Sequence, residues 1–159
     1  MHFEGTQPIN APIETVWAFV MDPDKVAGCA PGFISMEKLG PDHFKPTLGV
    51  GVGAVKMNFT LDVTLVDLQP PTHAGVRGHG VAVGSAVDID SAMDLVAESD
   101  TLTRMNWRAD VNVSGKIASM GARLLEGVAQ KLTERFFTCM RQQVEVPVSS
   151  PTTQSTQAT

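Results

Sequence analysis

A chain of 159 residues, 43% of them hydrophobic, is long enough to bury a core of its own and short enough to form one domain. Its formal charge of -5, from 17 acidic and 12 basic side chains, offers no net attraction to phosphate backbones and argues against nucleic-acid binding.

Residues 2 to 10 read as a first strand. Pro12 follows at a position where a helix tolerates a missing N–H, which puts Asn10 or Ala11 at the cap and a helix through Val20. Asp22-Pro23 restarts the chain and caps a second helical turn to about Gly28, which Pro31-Gly32 ends.

From Phe33 to Val113 the pattern changes to strands punctuated by Gly40-Pro41-Asp42, Pro70-Pro71, Gly84-Ser85 and Glu98-Ser99-Asp100, the signature of an antiparallel meander. Between Val55 and Leu65 every odd position is apolar and every even one polar, so one face is dry and the other wet. The alternation recurs in Val87, Ile89, Met93 and Leu95 against Asp88, Asp90 and Asp94. It recurs again in Met105, Trp107, Val111 and Val113 against Arg104, Asn106, Arg108, Asp110 and Asn112. A three-residue loop at 98 to 100 would set Asp94 beside Arg104 and Asp90 beside Arg108 as an exposed ion-pair ladder.

Such a sheet needs a cover on one side only. Residues 115 to 146 supply it, a proline-free stretch of roughly 45 Å if helical throughout, opened by Gly115 and closed by Pro147. At 100° per residue Ile117, Gly121, Leu124, Leu125, Val128, Leu132 and Cys139 share one side, with Arg123, Glu126, Gln130, Glu134 and Arg141 opposite. Residues 147 to 159 are Ser, Thr, Gln and Pro for the most part and read as a disordered tail, leaving 1 to 146 as the domain. The fold class is α+β, a curved antiparallel sheet gripping one long helix.

Cys29 and Cys139 fit no CxxC or zinc spacing, so two buried thiols in a reducing compartment are expected. Residues 1 to 6 lack the basic and apolar regions of a leader, and no apolar run approaches the ~18 residues of a spanning helix, so a cytoplasmic protein is expected.

The residues Val16-Trp17, Asp22-Pro23, Cys29-Ala30-Pro31-Gly32, the glycine-rich stretch from Gly75 to Gly84, and Gly115-Lys116-Ile117 with Gly121 resemble the carbon-monoxide dehydrogenase CoxG family of the START/Bet v 1-like (SRPBCC) superfamily. The similarity spans residues 2 to 145. It implies a helix-grip fold with an internal apolar cavity and a gene neighbour of the molybdenum hydroxylase class. It also implies recruitment of that enzyme to a membrane, or carriage of menaquinone between the two.

Met57, Met93, Met105 and Met120 beside Gly78, Gly80 and Gly121 suit a cavity that adapts to its guest, although methionine also fills irregular gaps in ordinary cores. The candidate lining is Met57, Phe59, Leu61, Val87, Ile89, Met93, Met105, Trp107, Met120, Gly121, Leu124, Leu125 and Val128. A quinone tail burying roughly 400 Å² would gain on the order of 10 kcal/mol gross, before association costs. Gly121→Leu is the substitution expected to fill the space.

The glycines at 49, 51, 53, 75, 78, 80 and 84 form neither a GxGxxG nor a GxxxxGK loop, so they read as points of sheet curvature. His2, His43, His73 and His79 lack partners at metal-ligand spacing, and no metal or covalent cofactor is expected. Arg77 and His79 share parity: inward they would make a polar mouth for a quinone carbonyl, outward they are simply solvated.

The absence of tyrosine and of a GxSxG elbow points away from catalysis. A cyclase, hydrolase or aromatase would need an inward ionisable group, for which only Glu37, Arg77 and His79 offer themselves. The leading expectation is a non-enzymatic carrier of a quinone or lipid that touches a membrane transiently and serves a carbon-monoxide dehydrogenase-type hydroxylase. The rival is an assembly or recruitment factor whose core is simply packed.

Overall fold

The computed structural model describes residues 1–145, so the expectation of a disordered tail at 147 to 159 falls outside the described residues. Strand β1 (His2–Ile9) leads into helices α1 (Ile13–Val20) and α2 (Pro23–Cys29). Six strands follow: β2 (Phe33–Gly40), β3 (His43–Val52), β4 (Val55–Gln69), β5 (His73–Ala82), β6 (Ser85–Ser99) and β7 (Leu102–Gly115). A 3-10 turn (Lys116–Met120) and helix α3 (Ala122–Val144) complete the order. The strands form one antiparallel sheet in the order β1-β7-β6-β5-β4-β3-β2, curved around α3 as the alternation and the late helix require.

The two short helices start differently. Asp22 caps α2, its carboxylate accepting from the N–H groups of Asp24 and Lys25 at 3.0 and 3.3 Å, with Pro23 at the first helical position. At α1 the cap is neither Asn10 nor Ala11 but Pro12 itself, whose extended backbone (φ -61°, ψ 151°) provides no side-chain hydrogen bond.

The closing helix departs from the expected unbroken run from 115. Ser85 Oγ, buried, accepts from the Ile117 N–H at 3.0 Å and pins a 3-10 turn, after which Gly121 breaks the chain at φ 96°. The remaining 23 residues of α3 span about 35 Å. Carrying the helical phase across that break misplaces the buried face. Leu125, Phe137, Met140 and Val144 are its buried residues, while Leu124 is 40% exposed.

Cys29 and Cys139 are not thiols. They form a disulfide that ties the end of α2 to α3, because the fold brings their Cα atoms to 5.4 Å across a separation of 110 positions that conceals the pairing in the sequence. The C-terminal half of α3 is further fastened by Arg141, which donates to Gln7 Oε1 at 2.6 Å, and by Glu145, which accepts from the Asn10 N–H at 2.8 Å.

The outer face of the sheet is polar, and its register differs from the expected ladder. A bulge between Ala97 and Ser99 and a tight turn set Asp94 opposite Asn106 and Asp90 opposite Asp110. Arg108 therefore reaches Asp94 only diagonally, at 3.7 Å, and Arg104 pairs with Glu98 at 3.0 Å. Each histidine meets an aspartate on a neighbouring strand: His2 with Asp110, His43 with Asp62, His73 with Asp94 and His79 with Asp88. Arg77 and His79 are exposed on this outer face and do not form a mouth.

The hydrogen bond to Glu4, and after it the bond to Asp110, raises the pKa of His2 above 6.5. A raised folded pKa means that charged His2 contributes fully below its unfolded value, and that the contribution fades as pH climbs through the folded one. An NMR titration is expected to place the His2 midpoint above 6.5, and Glu4→Gln to lower it. An unchanged midpoint in the variant would show that Glu4 is not its partner.

Candidate functional site

Two hydrophobic clusters make up the core, and they do not merge. One gathers Ile9, Val16, Phe19, Leu95, Met105, Phe137 and Met140 between α1, α3 and the sheet. The other gathers Val52, Phe59, Ile117 and Leu125 at the far end of the sheet.

The sheet pairing explains the space left between them. Leu65 pairs with Val76, Val76 with Ser91 and Ser91 with Ala109, so beyond Leu65 one inward row continues across β5 to β7 in short side chains. Alternation turns this whole row toward α3, and the small groups cannot reach the helix. The result is a chamber of about 430 Å³. Leu132, Thr133, Phe136 and Phe137 of α3 roof it, and Val26, Ala30 and Pro31 of the α2 segment close one side. A recess of about 200 Å³ continues beneath β2, between Phe33, Met36, Phe44 and Val63.

The chamber wall is nearly all apolar. Its polar groups are Ser91, Thr133, whose hydroxyl donates to the Ala129 carbonyl at 2.8 Å, and Trp107, whose Nε1 is buried without a hydrogen-bond partner. The Trp107 ring lies against Gly5, where a Cβ would come within 3.0 Å of Nε1. Arg108 contributes to the wall, but its guanidinium is directed at Asp94 on the outer face.

A groove of about 1040 Å³ runs between α3, the loop at Pro31-Gly32 and the end of β3 from Gly49 to the turn at Gly53. Pro31, Val50 and Leu132 line both groove and chamber, so the groove is the chamber's mouth. Along its α3 wall stand Arg123, Gly127, Lys131 and Arg135, a single row at four-residue spacing. Among the described residues none of the three cations has an ion pair. A Cβ on Gly127 would meet nothing within 4 Å, so packing does not require a helix-interior glycine that costs about 1 kcal/mol relative to alanine.

The opposite lip is rigid. Gly32 has φ 76°, and a Cβ there would lie 1.9 Å from the Gly49 carbonyl oxygen, while the Gly49 N–H donates to the Gly32 carbonyl at 2.8 Å. Gly32→Ala is expected to cost at least about 1–3 kcal/mol in urea denaturation. A neutral result would show that the lip is not clasped to β3 in this way.

The thirteen residues singled out from the sequence divide between these places. Met93, Met105 and Trp107 line the chamber, and Met120, Gly121, Leu124 and Val128 line the groove. Phe59 and Leu125 are buried in the second core cluster, with Met57, Leu61 and Val87 packed against them. Ile89 is half-buried between Gly78 and Val111 on neighbouring strands. Gly121 sits at φ 96°, so leucine there would strain the backbone and cannot serve as a clean cavity filler. Sequence reasoning missed the short row Val76, Ser91 and Ala109, the roof at Phe136 and Phe137, and the basic mouth. The small residues at matched inward positions were the available signal, but reading them needs the strand register.

Among the described residues no group of three or more His, Cys, Asp or Glu is placed to hold a metal ion. Nor is any described helix long and apolar enough to cross a membrane.

A curved antiparallel sheet gripping a long helix, with an apolar chamber between them, defines a START-like helix-grip domain. A conserved protein from Geobacillus kaustophilus is similar at 29% identity and a TM-score of 0.86, over 91% of this chain and 95% of that one. Zhui aromatase/cyclase from Streptomyces sp. R1128 shares the fold at 16% identity and a TM-score of 0.72, over 94% and 97%. A START superfamily protein from Mycobacterium smegmatis shares it at 12% identity and 0.72, over 91% and 97%. No curated protein matches. The chain belongs to the CoxG family, named for a subunit of carbon monoxide dehydrogenase, whose model matches residues 5–145.

Proposed function

We propose that this protein is a non-enzymatic carrier of a hydrophobic ligand, menaquinone or another isoprenoid quinone or lipid. In this reading it serves a molybdenum hydroxylase of the carbon-monoxide dehydrogenase type. The observation that carries the proposal is the apolar chamber of about 430 Å³ opening into a larger groove. Its size falls within the range of small-molecule sites, and burial of an isoprenoid tail needs no charged anchor.

The chemistry of the wall supports a non-catalytic role. An acid/base reaction needs a titratable group within reach of the substrate; with the Arg108 guanidinium directed at Asp94, the polar groups left facing the chamber are a serine, a threonine and an indole. Glu37, Arg77 and His79 are exposed and line no part of it.

The mouth supports transient contact with the inner face of the cell membrane from the cytoplasm. Arg123, Lys131 and Arg135 suit anionic headgroups at about 1 kcal/mol each, and Leu124 offers apolar contact beside them. Such contact would let a guest pass through the groove without crossing water.

Organic extraction of the purified protein followed by mass spectrometry tests the reading. One prenyl quinone or lipid per chain is the expected result. A protein that binds the hydroxylase yet carries no lipid, and takes up none from quinone-loaded vesicles, would instead be the assembly or recruitment factor.

A further inference from the structure

We propose that the Cys29–Cys139 disulfide is a reversible redox latch that holds α2 shut over the chamber and is opened by a dithiol reductant. The inference rests on the carrier reading for its purpose, but its structural part stands on the geometry of α2.

Helix α2 has seven residues; Ala27 and Cys29 are its buried side chains, and Val26 alone adds a larger, half-buried contact with the main core cluster. Small groups bury little surface, so the helix holds itself in place weakly. Its polar side-chain tie to the sheet is the ion pair of Asp24 with Lys38, at 2.7 Å but with both partners more than half exposed, a class of pair that contributes little. Yet this segment closes the chamber: Val26, Ala30 and Pro31 line it, and Pro31 also lines the groove. The covalent bond to α3 is therefore the strongest constraint on the lid.

The bond is also reachable from one side. Cys29 is 5% exposed, whereas Cys139 lines a shallow surface depression with Glu134, Arg135, Thr138 and Gln142. A thiolate of the reductant can attack Cys139 Sγ. Cys29 then leaves as a thiolate and takes a proton, and the second thiol of the reductant resolves the mixed disulfide. Two electrons and two protons pass to the protein, and the reductant departs as its own disulfide. In a cytoplasm that keeps thiols reduced, a disulfide of this kind is a transient, redox-sensing element.

The test compares oxidised wild type with wild type treated with excess dithiothreitol, the gain of two hydrogens being checked by intact mass. Amide hydrogen exchange reports on the lid with no ligand present, and release of bound Nile red reports on the chamber. Reduction is expected to speed exchange across residues 23–30, and dye release, by about tenfold or more, while the strands and the Gly32–Gly49 clasp keep their protection. Unchanged exchange in this segment, loss of protection throughout the sheet, or a bond that resists the dithiol in the folded protein would each overturn the latch. Failure of Nile red to bind in either state would count against the carrier reading, leaving the latch to be judged by the exchange data.

Discussion

Ala109→Leu is expected to abolish loading with an apolar ligand while leaving the protein as stable as the wild type, or more so. Ala109 lies in the inward row with Ser91 and Val76, and its Cβ faces the chamber of about 430 Å³ beneath the α3 roof. In a solidly filled core the added carbons would force neighbours off their rotamers and cost about 1–3 kcal/mol. In empty apolar space each buried methylene instead contributes up to about 0.8 kcal/mol. The sign of the stability change thus reports whether the interior is hollow, and Nile red binding reports whether the hollow is the site. A thermal melt lowered by more than about 1 kcal/mol equivalent would mean that the row already touches its roof.

Phe137→Ala is expected to have the largest effect on stability, about 3–5 kcal/mol in urea denaturation. The ring is 6% exposed and sits 5.9 Å from Trp107 and 5.6 Å from Phe136, centroid to centroid. It belongs at once to the main core cluster and to the chamber roof, so its loss weakens the fold while enlarging the space for a guest. Leu124→Ala, on the same helix but 40% exposed at the groove, is expected to stay within about 0.5 kcal/mol. Similar losses for both would contradict a helix α3 seated on Phe137 and Met140.

The strand and helix order was legible because alternation and proline or glycine punctuation are local signals. Val55 to Leu65 predicts its own dry face, and Asp22-Pro23 its own helix start. What escaped were the features set by contacts distant in the chain. The Ser85 bond to Ile117 shortens the closing helix and rotates its buried face toward Phe137 and Met140. The tight turn at Asp100-Thr101, partly offset by the bulge at Ala97 to Ser99, moves every expected Asp–Arg pairing on β6 and β7 by two residues. The approach of Cys29 to Cys139 depends on the whole sheet folding between them.

The same distinction governs the candidate site. Apolar parity marks which residues face inward but not which inward layer is filled, so Phe59 and Met57 look as suitable for a lining as Met93 and Met105. The hollow is a property of one cross-strand row, and rows exist only once the register is set. Arg123 read as part of a solvated helix face, and only the groove between α3 and β3 shows that it stands in one row with Lys131 and Arg135.

The most direct measurement is a crystal structure of the protein soaked with a short-chain menaquinone. A hollow, ligand-carrying interior predicts density for the guest against Ser91 and Ala109, beneath Phe136 and Phe137, with a tail or headgroup leading out past Pro31 and Val50. A chamber occupied by the protein's own side chains, with the quinone absent or only at the surface, would contradict it.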